Sequence, residues 1–355
     1  MRNRIFWVGQ MRGVAALCLA AALILAAVVV GGCTSGSGGE ADSGAVVGQD
    51  ADADLDADAD AGVSSGDAGV DGSAQADAAA VDGGGCGRAV SGNDLAWTLT
   101  HDGLARTFSV HVPTGYDPNV PTPVVVNFHG RNTNAQSQIL VTHLPDLADA
   151  EGFVAVHPEG IGMTWNAGLC CGQAMDDNVD DVGFTAALLD RLESELCIDP
   201  RRVYATGLSN GGFMAHRLGC ELADRIAAFS SVAGTNAMLS CSPSRAVPLL
   251  HFHGTADTVV PYDGFMGQLA VPATMADWVA RNGCTAQSAV FFQQAEVECE
   301  EWTGCQDNAT VRLCTVTGGG HQWPGGFTIP GLGYNTNVIS ASQMSWDFFA
   351  THSLP

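Results

Sequence analysis

Three short strings in the second half of the chain contain residue types that together can carry out nucleophilic chemistry. Ser209 lies in GLSNG (207–211), Asp257 in HGTADTVVPY (253–262) and His321 in GGGHQWPGG (318–326). A serine hydroxyl attacks a carbonyl carbon when a base takes its proton, and an imidazole is the better base when a carboxylate orients it. The three residues therefore predict a nucleophile, a base and an orienting acid.

The pattern Gly-x-Ser-x-Gly occurs a second time, as GVSSG at 62–66. Ser64 lies in a stretch rich in Gly, Ala, Ser and Asp, with no apolar strand before it and no helical pattern after it. Nothing there would hold a serine in a strained turn beside a base. We interpret GVSSG as a chance match, so Ser209 is the candidate nucleophile.

The elements around Ser209 are those that such a nucleophile requires. Apolar runs at 124–128, 153–158 and 201–207 are typical of buried strands, and 179–196 shows apolar residues at helical spacing. Strands that alternate with helices favour an α/β fold with a largely parallel sheet and helices on both faces. Ser209 then lies where a strand turns into a helix, and the turn exposes its hydroxyl above the sheet.

Stabilising the oxyanion that forms during attack requires two N–H donors from the main chain. The first is expected from Asn210, which follows the nucleophile, and the second from Arg131 or Gly130 in the loop HGRN after an early strand. Trp323 and Trp165 are candidates for the wall of the substrate pocket, and the alternative is that both are core residues. Trp323 is favoured because it lies two residues from His321.

Six strings occur in an order that resembles one group of enzymes: FHG (128–130), WNAGLCCG (165–172), VDDVGF (179–184), GLSNGG (207–212), HGTADTVVPY and GGGHQWPGG. Together they resemble the polyhydroxybutyrate depolymerase and feruloyl esterase group of secreted esterases, across nearly all of residues 95–355. The resemblance implies an α/β-hydrolase fold, hydrolysis of carboxylic esters without metal or other cofactor, and a triad of Ser209, Asp257 and His321.

The N-terminal residues are typical of an exported lipoprotein. A basic start precedes an apolar run from 14 to 30, which ends in VGGC with Cys33 as the residue that would carry lipid. The alternative is an uncleaved membrane anchor. We predict a signal peptide at 1–32, an acidic disordered tether at 33–85 and an esterase domain at 86–355.

The net charge of −24 argues against a nucleic-acid partner, because such a partner requires a basic surface. The expected partners are an ester substrate and, through the Cys33 lipid only, a membrane at the bacterial surface. A monomer is expected.

Export makes disulfides the expected state of the ten cysteines that follow Cys33. The strings VECEEWTGC and VRLCTV predict a β-hairpin that places Cys299 opposite Cys314, which leaves Cys284 to pair with Cys305. Cys220 and Cys241 flank a short helix-to-strand segment and form a third predicted pair. The pairing of Cys86, Cys170, Cys171 and Cys197 stays open.

Two other clusters have weaker functional interpretations. His251 and His253 alternate on one strand, but no third ligand is spaced to complete a metal site, so packing within the strand is favoured. Asp180 and Asp181 are expected to cap a helix rather than to form an acid–base pair.

The function predicted from the sequence is a surface-tethered serine esterase acting on feruloyl or acetyl esters of plant cell-wall polysaccharide. The rival of the same class is a depolymerase of short-chain polyhydroxyalkanoate, and a serine peptidase is less favoured. A catalytically idle binding lipoprotein is the alternative of another class.

Overall fold

The central strands form where the sequence has continuous apolar runs, as buried parallel strands require. In a computed structural model, the chain is described over residues 84–265 and 269–355. Its strands are β1 (Asp94–His101), β2 (Leu104–His111), β3 (Thr122–Phe128), β4 (Val154–Pro158), β5 (Ile198–Gly207), β6 (Ala228–Val232), β7 (Leu249–Gly254), β8 (Ala289–Gln294), β9 (Val297–Trp302) and β10 (Val311–Val316).

All ten strands join one sheet in the order β1-β2-β4-β3-β5-β6-β7-β10-β9-β8. The six from β4 to β10 along this order run parallel to one another, and an antiparallel pair flanks them on each side. The carboxyl ends of the parallel strands therefore meet at one edge of the sheet. The loops that leave this edge include those of Ser209, Asp257 and His321.

Helices cover both faces of the sheet. They are α1 (Ala135–Thr142), α2 (Leu144–Glu151), α3 (Gln173–Asp176), α4 (Asp181–Glu195), α5 (Asn210–Glu221), α6 (Val271–Arg281) and α7 (Ala341–Phe349). Because side chains alternate along a strand, Val124 and Val126 pack with residues of α4, α5 and α6, while Val125 packs with residues of α1, α2 and α7. The α/β fold with a largely parallel sheet, as the sequence predicts, is confirmed.

The described residues contain five disulfides, which are Cys86–Cys197, Cys170–Cys171, Cys220–Cys241, Cys284–Cys305 and Cys299–Cys314. Three of them join the pairs named from the sequence, and the four cysteines left open there form the other two. Cys299 and Cys314 are direct partners in the β9–β10 ladder.

The described residues belong to one compact unit. The predicted signal peptide at 1–32, the predicted lipid site Cys33, Ser64 and all of the predicted tether except Gly84 and Gly85 lie outside the described residues. Among the helices of residues 84–265 and 269–355, none has the length and apolar character needed to cross a membrane.

Candidate active site

Ser209 occupies a sharp turn between β5 and α5. Its backbone dihedrals are φ 56° and ψ −120°, a conformation that costs a non-glycine residue about 1–3 kcal/mol. A Cβ at Gly207 would lie 2.5 Å from the carbonyl carbon of Gly211, and a Cβ at Gly211 would collide with the carbonyl oxygen of Phe128. The two glycines of the motif are therefore required by the close approach of backbone to backbone.

Main-chain hydrogen bonds keep this turn in place. Ser209 donates from its N–H to the carbonyl of Val232 at 2.9 Å, and its own carbonyl accepts from the N–H of Phe213 at 2.9 Å. The side chain of Ser209 is half-buried. The turn thus presents the hydroxyl at the carboxyl edge of the sheet, where solvent can reach it.

Asp257 and His321 meet at the same edge. Asp257 follows β7 and His321 follows β10, which are neighbouring parallel strands. His321 Nδ1 lies 2.7 Å from Asp257 Oδ2, and the two side chains are 5% and 0% exposed. Because an ionised carboxylate only accepts hydrogen bonds, the proton of the imidazole lies on Nδ1. Nε2 is then left with a free lone pair and can act as a base.

The other carboxylate oxygen of Asp257 is held by the main chain. Asp257 Oδ1 accepts from the N–H groups of Val259 and Val260, each at 2.8 Å. Burial raises the pKa of Asp257, but the hydrogen bond and charge of His321 and the N–H group of Val260 outweigh it, so the pKa lies below its ordinary value. The acid is therefore ionised and fixed in orientation at neutral pH.

The Gly130–Arg131 peptide is oriented by its carbonyl group. The carbonyl oxygen of Gly130 accepts from His129 Nδ1 at 2.8 Å and from Thr133 Oγ1 at 2.7 Å. A trans peptide points its N–H opposite to its C=O, so the N–H of Arg131 points away from these donors. A Cβ built on Gly130 would lie 3.5 Å from the Cβ of Ser209, which brings this peptide next to the nucleophile. Of the two residues named from the sequence, Arg131 carries the N–H of this fixed peptide.

His129 is itself held in one protonation state. Its Nε2 accepts from the N–H of Gly160 at 3.0 Å, so its proton lies on Nδ1 and is donated to the Gly130 carbonyl. Burial lowers its pKa to about 4, against a smaller opposing effect of the Gly130 bond. The FHG string thus contributes a buried, neutral histidine that fixes the adjacent peptide.

Asn210 joins the turn to the loop that follows β4. It is the first residue of α5, so its N–H has no partner within the helix. Its side chain accepts from the N–H of Trp165 at 2.7 Å and donates to the carbonyl of Trp165 at 3.0 Å. The sequence indicated only the N–H group of Asn210, and nothing local signalled that its amide would bind the loop at 164–172.

Comparison with known proteins assigns the chain to a family, although no family model matches the sequence. Feruloyl esterase B of Piromyces equi is 32% identical over 268 residues, which make up 70% of this chain and 46% of that protein. The putative esterase NocK of Nocardia uniformis subsp. tsuyamanensis is 31% identical over 266 residues, which make up 68% of this chain and 76% of that protein. The chain belongs to the feruloyl esterase-like family of α/β-hydrolases.

A solved structure supports the fold of this feruloyl esterase-like chain. Acetyl xylan esterase from Aspergillus awamori matches it with a TM-score of 0.52 over 72% of this chain and 99% of that chain, at 15% identity. Identity this low concerns the fold alone. The chain spans less than half the length of its Piromyces relative. The family and the fold inferred from the six strings are confirmed.

Trp323 and Trp165, the two candidates for the wall of the substrate pocket, are both buried in this structure. Trp323 is 1% exposed, and its Nε1 donates to Ser342 Oγ of α7 at 3.0 Å. Trp165 is fully buried against Phe128, and its Nε1 donates to the carbonyl of His129 at 3.0 Å. Although Trp323 is close to His321 in sequence, its indole packs in the core, which favours a structural role.

The aspartates at the start of α4 have structural partners. Asp180 Oδ1 caps α4 by accepting from the N–H of Gly183 at 2.9 Å. Asp181 forms a fully buried ion pair with Arg106 at 2.6 Å, and burial raises its pKa although Arg106 opposes this. Within residues 84–265 and 269–355, no group of three or more His, Cys, Asp or Glu side chains is arranged to hold a metal ion.

Proposed function

We propose that this protein is a serine hydrolase of carboxylic esters that acts through an acyl-enzyme. The observation that carries the proposal is the arrangement at one edge of the sheet. A strained serine stands at the end of β5, next to a fixed peptide that can donate an N–H group, and a hydrogen-bonded Asp257–His321 pair follows β7 and β10. Membership of the feruloyl esterase-like family supports the same reaction.

In the proposed mechanism, Nε2 of His321 takes the proton of the Ser209 hydroxyl as Oγ bonds to the ester carbonyl carbon. The carbonyl oxygen becomes an oxyanion, which the N–H groups of Asn210 and Arg131 stabilise, each worth about 3 kcal/mol of barrier. The tetrahedral intermediate then breaks its bond to the alcohol oxygen, which leaves with the proton held by His321. Asp257 holds the imidazole through both proton transfers.

Water completes the turnover at the same groups. His321 takes a proton from water, whose oxygen attacks the acyl carbon of the acyl-enzyme, and the second oxyanion rests on the same two N–H groups. Ser209 leaves with the proton from His321, and the carboxylic acid is released. Each step needs only groups of this chain, the ester and water.

The proposed substrates are feruloyl or acetyl esters of plant cell-wall polysaccharide. The family membership and the 32% identity to a protein named feruloyl esterase B support this class. The experiment is hydrolysis of p-nitrophenyl acetate, methyl ferulate, acetylated xylan and a polyhydroxybutyrate film by the full chain. Methyl ferulate or acetylated xylan is expected to be cleaved. Preferential hydrolysis of the film would identify a polyester, rather than a cell-wall ester, as the substrate.

Two serine variants control this experiment. Ser209→Ala is expected to abolish hydrolysis and labelling by a fluorophosphonate, whereas Ser64→Ala, in the other Gly-x-Ser-x-Gly, is expected to keep both. A parent chain that folds but neither hydrolyses an ester nor reacts with the fluorophosphonate would contradict the proposal and favour an idle binding protein.

The proposal includes export and a lipid anchor at Cys33. The VGGC string supports it, and the five disulfides of the described residues fit an oxidising compartment. The test is labelling of cells that express the full chain with a radioactive fatty acid. The parent is expected to incorporate the label and Cys33→Ser is not; no incorporation into the parent, or equal incorporation into both, would contradict the lipid anchor.

A further inference from the structure

Three histidines lie buried behind the candidate acid, and the proposed mechanism does not use them. His251 and His253 alternate along β7, so both side chains point to the same face of the sheet, and His216 of α5 packs beside them. The three residues are 0–2% exposed. Buried polar rings are costly unless they form hydrogen bonds, so the partners of these rings determine what they do.

The partners assign a tautomer to each ring. His253 Nε2 lies 2.8 Å from the carbonyl oxygen of Val260. Because a carbonyl oxygen only accepts hydrogen bonds, His253 carries its proton on Nε2. Its Nδ1 is then an acceptor, and His251 Nε2 donates to it at 3.0 Å. Trp278 Nε1 donates to His216 Nδ1 at 2.9 Å. Since Nδ1 of His216 is therefore an acceptor, His216 also carries its proton on Nε2.

Burial keeps the three rings neutral. It lowers the pKa of His216 to about 3 and that of His251 well below its ordinary value. It also lowers the pKa of His253, against smaller opposing effects of the Val260 bond and of the Asp257 charge. At neutral pH each ring therefore has one donor and one acceptor, and the directions of the hydrogen bonds are fixed.

The chain of hydrogen bonds ends at the turn that holds Asp257. Val260 is bound on both sides, since its N–H donates to Asp257 Oδ1 and its carbonyl accepts from His253 Nε2, both at 2.8 Å. His253 Nε2 also lies 3.5 Å from Asp257 Oδ2, the oxygen that holds His321. The N–H group of His253 thus holds the turn that binds Asp257 Oδ1, and it also faces Asp257 Oδ2.

We propose that His253 is a positioning residue for Asp257, and that His251 sets the tautomer of His253 that this requires. The inference rests on the proposed function, because Asp257 needs positioning for catalysis only if it orients the base. Without the N–H group of His253, the carbonyl of Val260 would be a buried acceptor without a donor. The turn would then relax and carry Asp257 away from His321.

The first experiment compares His253→Leu with His253→Gln in the full chain. Glutamine places an N–H donor close to where His253 Nε2 lies, and leucine provides none. We expect His253→Leu to lower kcat about tenfold to a hundredfold, as small misplacements of catalytic groups do, with KM nearly unchanged. His253→Gln is expected to restore most of kcat. Equal losses in two folded variants, or an unchanged kcat in His253→Leu, would overturn the inference.

The matched control is His157→Leu. His157 is also a strand histidine, 1% exposed, and burial lowers its pKa to about 3, but it contacts Asn127 rather than the Asp257 turn. His157→Leu removes an equally buried imidazole and is expected to leave kcat close to that of the parent. A fall in kcat as large as that of His253→Leu would attribute both losses to lost packing and overturn the inference.

A second measurement needs no variant. Nitrogen-15 NMR of the full chain labelled at histidine distinguishes ring tautomers at pH 7, and it decides the question if His253→Leu does not fold. His216, His251 and His253 are each expected to be neutral and protonated on Nε2. A proton on Nδ1 of His253, or a charged ring there, would overturn the inference.

Failure of the proposed function is recognisable separately. If the folded parent neither hydrolyses an ester nor reacts with a fluorophosphonate, Asp257 has no catalytic role. The positioning role of His253 is then lost as well. If the parent is active and His253→Leu matches it, only the positioning role of His253 is lost.

Discussion

His321 Nδ1 and Asp257 Oδ2 lie 2.7 Å apart, although 64 residues separate them in the sequence. The bond exists because β7 and β10 are parallel neighbours and their following loops leave the same edge of the sheet. The carboxylate also accepts two main-chain N–H groups, so neither of its oxygens is free to turn. The orientation of the imidazole is therefore a property of the fold.

Replacing Asp257 by asparagine is expected to lower kcat strongly with little change in KM. An amide can donate to Nδ1 and stabilise the wrong tautomer of His321, an effect that costs about 10⁴ in a triad. The measurement is kcat and KM on p-nitrophenyl acetate. The control is Asp263→Asn, at an exposed position in the same loop. Similar kcat values for the two variants would contradict the role of Asp257.

The contribution of Arg131 to the oxyanion hole is expected to come from its main chain. Arg131→Ala keeps the N–H group and should keep kcat, whereas Arg131→Pro removes it and should lower kcat by about 10²–10³. Both variants lose the guanidinium, so comparing them isolates the N–H group. Equal activity of the two would show that this peptide donates nothing to the transition state.

Trp323→Ala is expected to lower stability rather than to alter substrate binding. The indole is buried and hydrogen-bonded to Ser342, so truncation should cost about 3–5 kcal/mol of the free energy of unfolding. Urea unfolding measures this loss, and KM on methyl ferulate should match that of the parent. A raised KM at unchanged stability would return Trp323 to the pocket wall.

Buried neutral histidines predict that the protein loses stability in mild acid. Burial lowers the pKa of His129 to about 4 and those of His157 and His216 to about 3. In the unfolded chain these rings bind protons below about pH 6.5, so the unfolded state holds more protons there. Because of these rings, the free energy of unfolding is highest above about pH 6.5 and falls as the pH drops toward 4.

For each such ring, the free energy of unfolding is expected to fall by about 1.4 kcal/mol for every pH unit of acidification in this range. Urea midpoints at pH 7, 6 and 5 measure it for the parent and for His157→Gln, which lacks one of the three rings. The variant is expected to show the shallower dependence on pH. Parallel curves for the two proteins would exclude His157 as a source of acid sensitivity.

Local patterns were sufficient to predict the core of this fold. The apolar run at 124–128 became β3, the helical spacing after 179 became α4, and the hairpin register placed Cys299 opposite Cys314. The antiparallel pair β1–β2 was missed. Its alternation of exposed and half-buried residues and its Asp102–Gly103 turn were signals of a hairpin.

What the sequence could not predict depends on contacts between distant segments. The amide of Asn210 binds the main chain of Trp165, 45 residues away, and no local pattern records it. The bond from His253 to Val260 spans only seven residues, but it needs the turn that Asp257 itself forms. Residue type identified the candidate triad, whereas the groups that hold it depend on the folded chain.

The Cys86–Cys197 disulfide fixes where the described chain begins relative to the nucleophile. Cys197 immediately precedes β5 and Ser209 follows its other end. Because β5 bulges and spans only the length of β3, with Ile198 opposite Thr122 and Gly207 opposite Phe128, the two are separated by about 20 Å. The amino end of the described chain is thus fastened at the edge of the sheet opposite the candidate site. If the protein is immobilised on a support through this end, Ser209 faces away from the support. Insoluble polymer particles could then reach the serine while the protein stays attached.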